Sequence, residues 1–305
     1  MLKIILCLFA FGYMGISLGE DATNKSLPIV MWHGMGDTCC FSFSLGSFRD
    51  FLINILGSNV YVKSIRIGNN VVEDYESGYF VHPNKQVENA CQQIASDPKL
   101  QNGYNAIGFS QGSQFLRAVA QRCPEPRMNN LISLGGQHQG KKCVFGLPNC
   151  PSLSSKTCDK FRKMLNYAAY TSWLQDYLVQ ATYWHNPLKE EIYRKSSTFL
   201  SDINNELNIN QTYVENLKKL NKFVLVKFSN DTIVQPIDTE WFQFYTPNQD
   251  RVIQPLAESN AAKNLGLNDL VASNTIVFLE TEGNHLKFTT EWFKKNILPY
   301  LNGEI

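Results

Sequence analysis

The run Asn105-Ala106-Ile107-Gly108-Phe109-Ser110-Gln111-Gly112 restricts this chain more than any other stretch. Gly108-x-Ser110-x-Gly112 is the pattern of a nucleophile elbow, where a strand enters a turn so tight that the serine backbone is strained and Oγ stands clear of the sheet. Glycines flank the serine because a Cβ at either position would strike the neighbouring strand or helix. The surroundings fit. Tyr104 to Ile107 reads as a short buried strand, and Phe115, Leu116, Val119, Ala120 and Cys123 recur at helical spacing before Pro124. A solvent-exposed turn serine would need none of this context.

The rest of the chain alternates in a way that suits a mostly parallel sheet. Leu27 to Trp32 is an apolar run followed by His33-Gly34-Met35-Gly36-Asp37, a strand leading into a glycine-rich loop. In serine hydrolases of this architecture such a loop lends one backbone N–H to an oxyanion hole, here that of Met35, and the residue after the nucleophile, Gln111, lends the other. A plain strand-to-helix turn would use the glycines only for their φ angles. Ser47 to Leu56 reads as a helix, Tyr61 to Ile67 as a strand, Val87 to Ala95 as an amphipathic helix and Leu131 to Leu134 as a buried strand. From about Lys141 the rhythm breaks. A stretch rich in proline, serine and cysteine leads into a helical region with aromatics at helical spacing, too long for a simple crossover between strands. Strands return at Lys222 to Phe228 and Thr275 to Leu279, and a helix from Thr289 to Leu298 follows. The expected architecture is an α/β-hydrolase fold: a mostly parallel sheet with helices on both faces and an inserted helical lid. The expected divisions are a signal peptide at 1–19, core at 20–140, a mainly helical insertion at 141–221 that shapes an acyl groove, and core again at 222–305.

An acid and a base complete the elbow. Asp231 follows the strand ending at Phe228, and His285 follows the last strand, giving the chain order Ser…Asp…His of this fold. Asp202 and Asp238 compete for the acid, and His33, His82, His138 and His185 for the base. Only His285 combines a final strand, a loop and a position well after the acid. Ser110 Oγ would attack an acyl carbonyl, His285 would take its proton, and Asp231 would fix the imidazole.

Composition narrows the setting. A net charge of +1 without a long like-charged run argues against nucleic acid as a partner. Lys3, the apolar run Ile4 to Tyr13 and the small residues ending Ser17-Leu18-Gly19 read as a secretory signal, too short to span a bilayer; no later stretch reaches spanning length. Beyond Cys7, the cysteines at 39, 40, 91, 123, 143, 150 and 158 enter an oxidising pathway, so disulfides are expected with one thiol left over. None has zinc spacing, and neither a metal nor a cofactor is expected. Sequons stand at Asn24, Asn210 and Asn230.

Six blocks of the chain resemble palmitoyl-protein thioesterases: 32–40, 108–112, 134–140, 181–187, 228–234 and 282–285. Among them are Trp32-His33-Gly34-Met35-Gly36-Asp37-Thr38-Cys39-Cys40, Gly108-Phe109-Ser110-Gln111-Gly112 and Glu282-Gly283-Asn284-His285. The likeness runs from about Leu27 to Leu301 and is nearest to the lysosomal branch of the family. It implies hydrolysis of long-chain acyl thioesters, with S-palmitoylated proteins or peptides and acyl-coenzyme A as substrates. It implies a triad on Ser110, Asp231 and His285, oxyanion donors on Met35 and Gln111, and disulfides Cys39–Cys40, Cys91–Cys123 and Cys150–Cys158. Glycans on Asn210 and Asn230 carrying a lysosomal sorting tag are implied too, and with them a sorting receptor. The chain departs from the pattern by inserting Lys141-Lys142-Cys143, and Cys143 has no counterpart. The residues alone specify a serine acyl hydrolase. A secreted lipase or carboxylesterase acting on oxoesters, and a lipid-binding protein that keeps the fold without turnover, are the alternatives.

Overall fold

The computed structural model describes residues 26–141 and 166–305. The expected signal segment, the Asn24 sequon, Cys143 and the Cys150–Cys158 pair lie outside them. Six strands form one parallel sheet in the order β2-β1-β3-β4-β5-β8: β1 (Ile29–Trp32), β2 (Val62–Ser64), β3 (Tyr104–Phe109), β4 (Met128–Leu134), β5 (Lys222–Phe228) and β8 (Ile276–Thr281). A short antiparallel pair, β6 (Phe244–Tyr245) and β7 (Ile253–Gln254), stands apart. The inner strands are near-continuous apolar runs because helices cover both faces of the sheet. On one face α1 (Leu45–Leu56) and the C-terminal helix Thr290–Asn296 bring Leu45, Leu52, Phe293 and Ile297 against Ile29, Ile107 and Val226. On the other, α3 (Pro83–Ala95) and α4 (Gln111–Arg122) bring Val87, Ile94, Phe115 and Val119 against Val30, Trp32 and Ala106. This is a doubly wound α/β-hydrolase core.

Two local results differ from the sequence expectation. A helix α2 (Val71–Phe80), unforeseen, packs with Asp74, Ser77, Gly78 and Tyr79 as its buried face. That face is largely polar or small, so no apolar period marks it. The closing helix is broken into Thr290–Asn296 and Leu298–Leu301, with Pro299 in the first turn of the second piece, where its missing N–H costs nothing.

Between β4 and β5 the described part of the insertion carries only short helices, among them Val179–Thr182, Glu190–Ser196 and Gln211–Leu217. It shares the core of the sheet: Tyr183, Phe199, Leu200, Ile203 and Leu217 belong to the same apolar cluster as Trp32 and Phe115. Arg117 on α4 is wholly buried beneath it. Its guanidinium donates to the Ile203 carbonyl at 2.8 Å, to Asn204 Oδ1 at 2.9 Å and to the His138 carbonyl at 3.2 Å. Burial pulls its pKa down to about 9, which leaves it charged at neutral pH. Cys91 on α3 is bonded to Cys123 at the end of α4, and Cys39 to its neighbour Cys40.

Candidate active site

In a parallel sheet all loops after the strands gather at one edge, and a crevice opens where the strand order reverses. Here the chain moves from β1 outward to β2 and then back to β3 on the other side of β1, so the crevice lies between β1 and β3. Trp32 pairs with Gly108 across it. The loop after β1 and the turn after β3 therefore meet: a Cβ on Gly34 would sit 3.2 Å from Ser110 Cβ.

Ser110 has φ 51° and ψ −117°, a strained backbone for a residue with a side chain. Its N–H is tied to the Leu134 carbonyl at 2.8 Å. Both flanking glycines are obligatory. A Cβ on Gly108 would lie 2.4 Å from Ser113 Cα, and one on Gly112 would lie 2.3 Å from the Trp32 carbonyl oxygen. The reward of this crowding is that α4 starts immediately at Gln111. The N–H of a first helical residue has no preceding turn to bond, and it stands at the positive end of the helix dipole. The Gln111 side chain is fixed at both ends, donating from Nε2 to the Gly78 carbonyl at 3.1 Å and accepting from the Tyr183 hydroxyl at 2.9 Å. Gly78 also bears on Met35: a Cβ there would be 3.7 Å from Gln111 Nε2 and 3.9 Å from Met35 Cα.

The Met35 loop is anchored by a buried carboxylate that the sequence did not reveal. Asp74 of α2 accepts from Ile67 N–H at 2.7 Å and Cys39 N–H at 2.8 Å, and meets His33 Nε2 at 3.2 Å. His33 Nδ1 faces the Gly34 carbonyl at 2.8 Å, so both ring nitrogens point at acceptors, an arrangement that favours the protonated ring. Burial alone would lower its pKa, but the hydrogen bond and charge of Asp74 raise it above the ordinary histidine value.

Asp231 and His285 come from the loops after β5 and β8. His285 Nδ1 is 2.5 Å from Asp231 Oδ2, while Asp231 Oδ1 accepts the N–H groups of Ile233 at 2.6 Å and Val234 at 2.9 Å. Burial works to raise the Asp231 pKa, but hydrogen bonds from His285, Glu240 and Val234, with the His285 charge, hold it below the usual carboxylate range. Asn284 stitches the two loops, its Oδ1 accepting from Thr232 N–H at 3.0 Å and His285 N–H at 2.6 Å. With Nδ1 committed to Asp231, Nε2 is the nitrogen left to face the crevice. The ring lies over Gly135, where a Cβ would be 3.2 Å from His285 Cε1 and where φ is +63°.

Ser110, Met35 and His285 line one cavity of about 680 Å³. Its apolar wall is Leu45, Phe48 and Phe51 from α1 with Phe109, Leu286 and Phe288. Among the described residues the insertion adds only Lys141 and Tyr183 to the lining, so the described apolar surface belongs to the core and not to the lid.

The rival residues are engaged elsewhere. His82 caps α3 and meets Thr198. His138 stacks on Phe242, its pKa driven far down by burial and by Arg117. His185 lies between Tyr193 and Phe244 and bonds Glu190. Asp202 pairs with Arg122, and Asp238 sits in the 3-10 turn Ile237–Trp241. Asn210 and Asn230 are both exposed; Asn210 caps the helix Gln211–Leu217, and Asn230 Nδ2 donates to the Glu282 carbonyl. Asp231, Glu240 and His285 each bring one ligand-type atom within 4.8 Å of the others, but the direct Asp231–His285 bond occupies the space a cation would need. No helix among the described residues is long and apolar enough to cross a membrane.

The same stretch of chain has known counterparts. The family model for palmitoyl protein thioesterase matches residues 28–285. Palmitoyl-protein thioesterase 1 of Caenorhabditis elegans is 46% identical over 288 residues, covering 93% of each chain. Palmitoyl-protein thioesterase 3 of Dictyostelium discoideum is 33% identical, over 94% of this chain and 96% of the relative. A lysosomal thioesterase of Bos taurus is 26% identical, over 82% of this chain and 78% of the relative. With a match that runs from the first strand to the histidine after the last, this chain belongs to the palmitoyl-protein thioesterase family.

Proposed function

We propose that this thioesterase releases palmitate and similar long-chain acids from S-acylated proteins, peptides and acyl-coenzyme A by way of a Ser110–His285–Asp231 triad. One observation carries the reading: a strained serine at the start of a helix shares a cavity with a histidine whose far nitrogen is bonded to a buried aspartate. Ser110 Oγ attacks the thioester carbonyl carbon as its proton passes to His285 Nε2. The oxyanion is held by the N–H groups of Met35 and Gln111, each worth about 3 kcal/mol in the transition state. The C–S bond then breaks, and the sulfur leaves with the proton from His285. A water molecule, deprotonated by the same nitrogen, attacks the acyl-serine, and the acid departs as Ser110 regains its proton. A cysteine thiol has a pKa of about 8.5, far below the roughly 15.7 of water, so expulsion of sulfur asks less of His285 than an alkoxide would.

The acyl chain lies along the Phe48, Phe51 and Phe288 wall. At about 0.8 kcal/mol per buried methylene, fourteen methylenes offer roughly 11 kcal/mol gross, more than the ~8 that a micromolar complex needs. The name of the bovine relative and the amino-terminal signal pattern support a lysosomal destination by way of the secretory pathway, with glycans at Asn210 and Asn230 read by a sorting receptor. The 20–140, 141–221 and 222–305 divisions describe core, insertion and core.

The test is twofold. A fluorophosphonate should label Ser110 and block turnover; a protein that binds lipid without turnover would stay unlabelled. A palmitoyl thioester should be cleaved much faster than its oxygen isostere, and equal rates would return the reading to a lipase.

A further inference from the structure

One buried carboxyl beside the site has no part in the mechanism above. Glu240 is fully buried in the turn Ile237–Trp241, and its Oε2 accepts the N–H of Phe228, the last residue of β5, at 2.8 Å. Three residues further along the same chain stands Asp231. Oε1 of Glu240 is buried with no donor reaching it. The carboxyls of Glu240 and Asp231 and the His285 ring lie within 4.8 Å of one another.

Two carboxyls this close and this buried cannot both be charged, so one proton is held between them. Its place follows from the donors. Asp231 has three, the His285 ring and the N–H groups of Ile233 and Val234; Glu240 has the Phe228 N–H alone. The better-solvated anion is Asp231, and the proton stays on Glu240. Among the neighbouring charges, Lys227 on β5 would favour an ionised Glu240, but its ammonium is drawn to Glu280 at 3.0 Å and lies over the Trp241 ring. Asp238 on the same turn adds only negative charge, and His138, on the turn after β4, is neutral. Burial first, then the hydrogen bond and charge of Asp231, hold the Glu240 carboxyl well above the carboxylate range, against the pull of the Phe228 N–H and Lys227.

We propose that Glu240 is a positioning residue: a neutral carboxylic acid that donates its O–H to the Asp231 carboxylate, tethers that carboxylate to the end of β5 and keeps it a weak base. The proposal rests on the triad reading. A weaker base at Asp231 stabilises the imidazolium of His285 less, so the acid limb of kcat/KM, which belongs to the coupled pair, stays low. That is the adjustment a hydrolase working in an acidic compartment needs.

Glu240→Gln and Glu240→Met separate this from its rivals. The amide of Gln can accept from Phe228 and donate to Asp231 without ever ionising. E240Q should therefore hold the acid limb within about 0.3 pH unit, a factor of two, and lose no more than about threefold in kcat/KM. If Glu240 were ionised in the parent, E240Q would remove a negative charge and drive the limb down by a unit or more, which would overturn the proposal. E240M fills the space without a donor and should raise the limb by about one unit, so that activity falls about tenfold more at pH 5 than at pH 8. A folded E240M with equal loss at every pH would mean a merely structural residue. Should E240M fail to fold, infrared difference spectra of the parent against E240Q decide: a protonated carboxyl C=O band at neutral pH, present in the parent and absent from the variant, is required. Asp231→Asn serves as the reference. If D231N stays active, the triad assignment has failed; if D231N is dead while the Glu240 variants behave as the parent, only the present proposal has.

Discussion

Gly112→Ala puts the oxyanion geometry to a direct test. An added Cβ would lie 2.3 Å from the Trp32 carbonyl oxygen and 2.5 Å from that of His33, where ordinary contact begins at about 3.4 Å. Both obstacles are backbone of β1 and its loop, so neither can rotate aside. Relief requires α4 to withdraw from β1 by roughly 1 Å, carrying the Gln111 N–H with it. Oxyanion donors act at about 2.7–3.1 Å, so such a shift amounts to losing one of them: about 3 kcal/mol, or of the order of a hundredfold in kcat. The packing strain adds a stability cost of about 1–3 kcal/mol. KM should hardly move, because the Phe48 and Phe51 wall is untouched. Gly57→Ala is the control. Gly57 has φ 101° with nothing within 4 Å of an added Cβ, so it should lower Tm through backbone strain and leave kcat alone. Thermal melts and steady-state kinetics on a soluble palmitoyl thioester measure both quantities. A folded G112A with kcat within about threefold of the parent would refute the reasoning.

Asp231→Asn should cost about 10⁴-fold in kcat by fixing the wrong tautomer of His285, whereas Asp202→Asn and Asp238→Asn should cost less than about threefold; an equal loss at Asp238 would move the acid there. Burial alone would lower the pKa of His185, but the charge and hydrogen bond of Glu190 raise it. A raised folded pKa gives stability that is complete below about 6.5 and is lost as pH climbs through the folded value. Glu190→Gln should therefore depress Tm more at pH 5 than at pH 9, and the reverse order in melts would contradict this. Affinity should rise with acyl length and then level off, while Phe48→Ala should weaken sixteen-carbon substrates more than eight-carbon ones in KM; no dependence on length would rule out an apolar groove.

What the sequence disclosed was what chemistry writes locally. The strained serine needs its glycines within two residues, so Gly108, Ser110 and Gly112 announce themselves, and the strands at 104–109 and 222–228 are apolar runs because both their faces are covered. The order Ser, Asp, His follows from which strands precede them. What stayed hidden depends on contacts across the chain. Nothing near Asp74 signals that it will collect His33, Ile67 and Cys39, and Asp238-Thr239-Glu240 reads as a polar surface turn although Glu240 is wholly buried. Helix α2 did leave a trace: Asn70 caps Val72 and Glu73, and an Asn followed three residues later by Glu is a start signal. The apolar wall was expected of the insertion; in the described residues α1 and the loop after His285 supply it.

The burial of Arg117 sets a limit on modularity. Its donors end on Ile203 and Asn204 inside the insertion and on His138 just before it. A chimaera that replaced 141–221 with the lid of another hydrolase would have to supply carbonyl or amide oxygens at the same points in space. Without them a guanidinium is stranded in the interior, at a cost of about 3–5 kcal/mol, a large share of the stability of an ordinary domain. Transplanting Arg117 together with its acceptors, or replacing it by an apolar side chain of similar length before the exchange, is the condition under which this region becomes exchangeable.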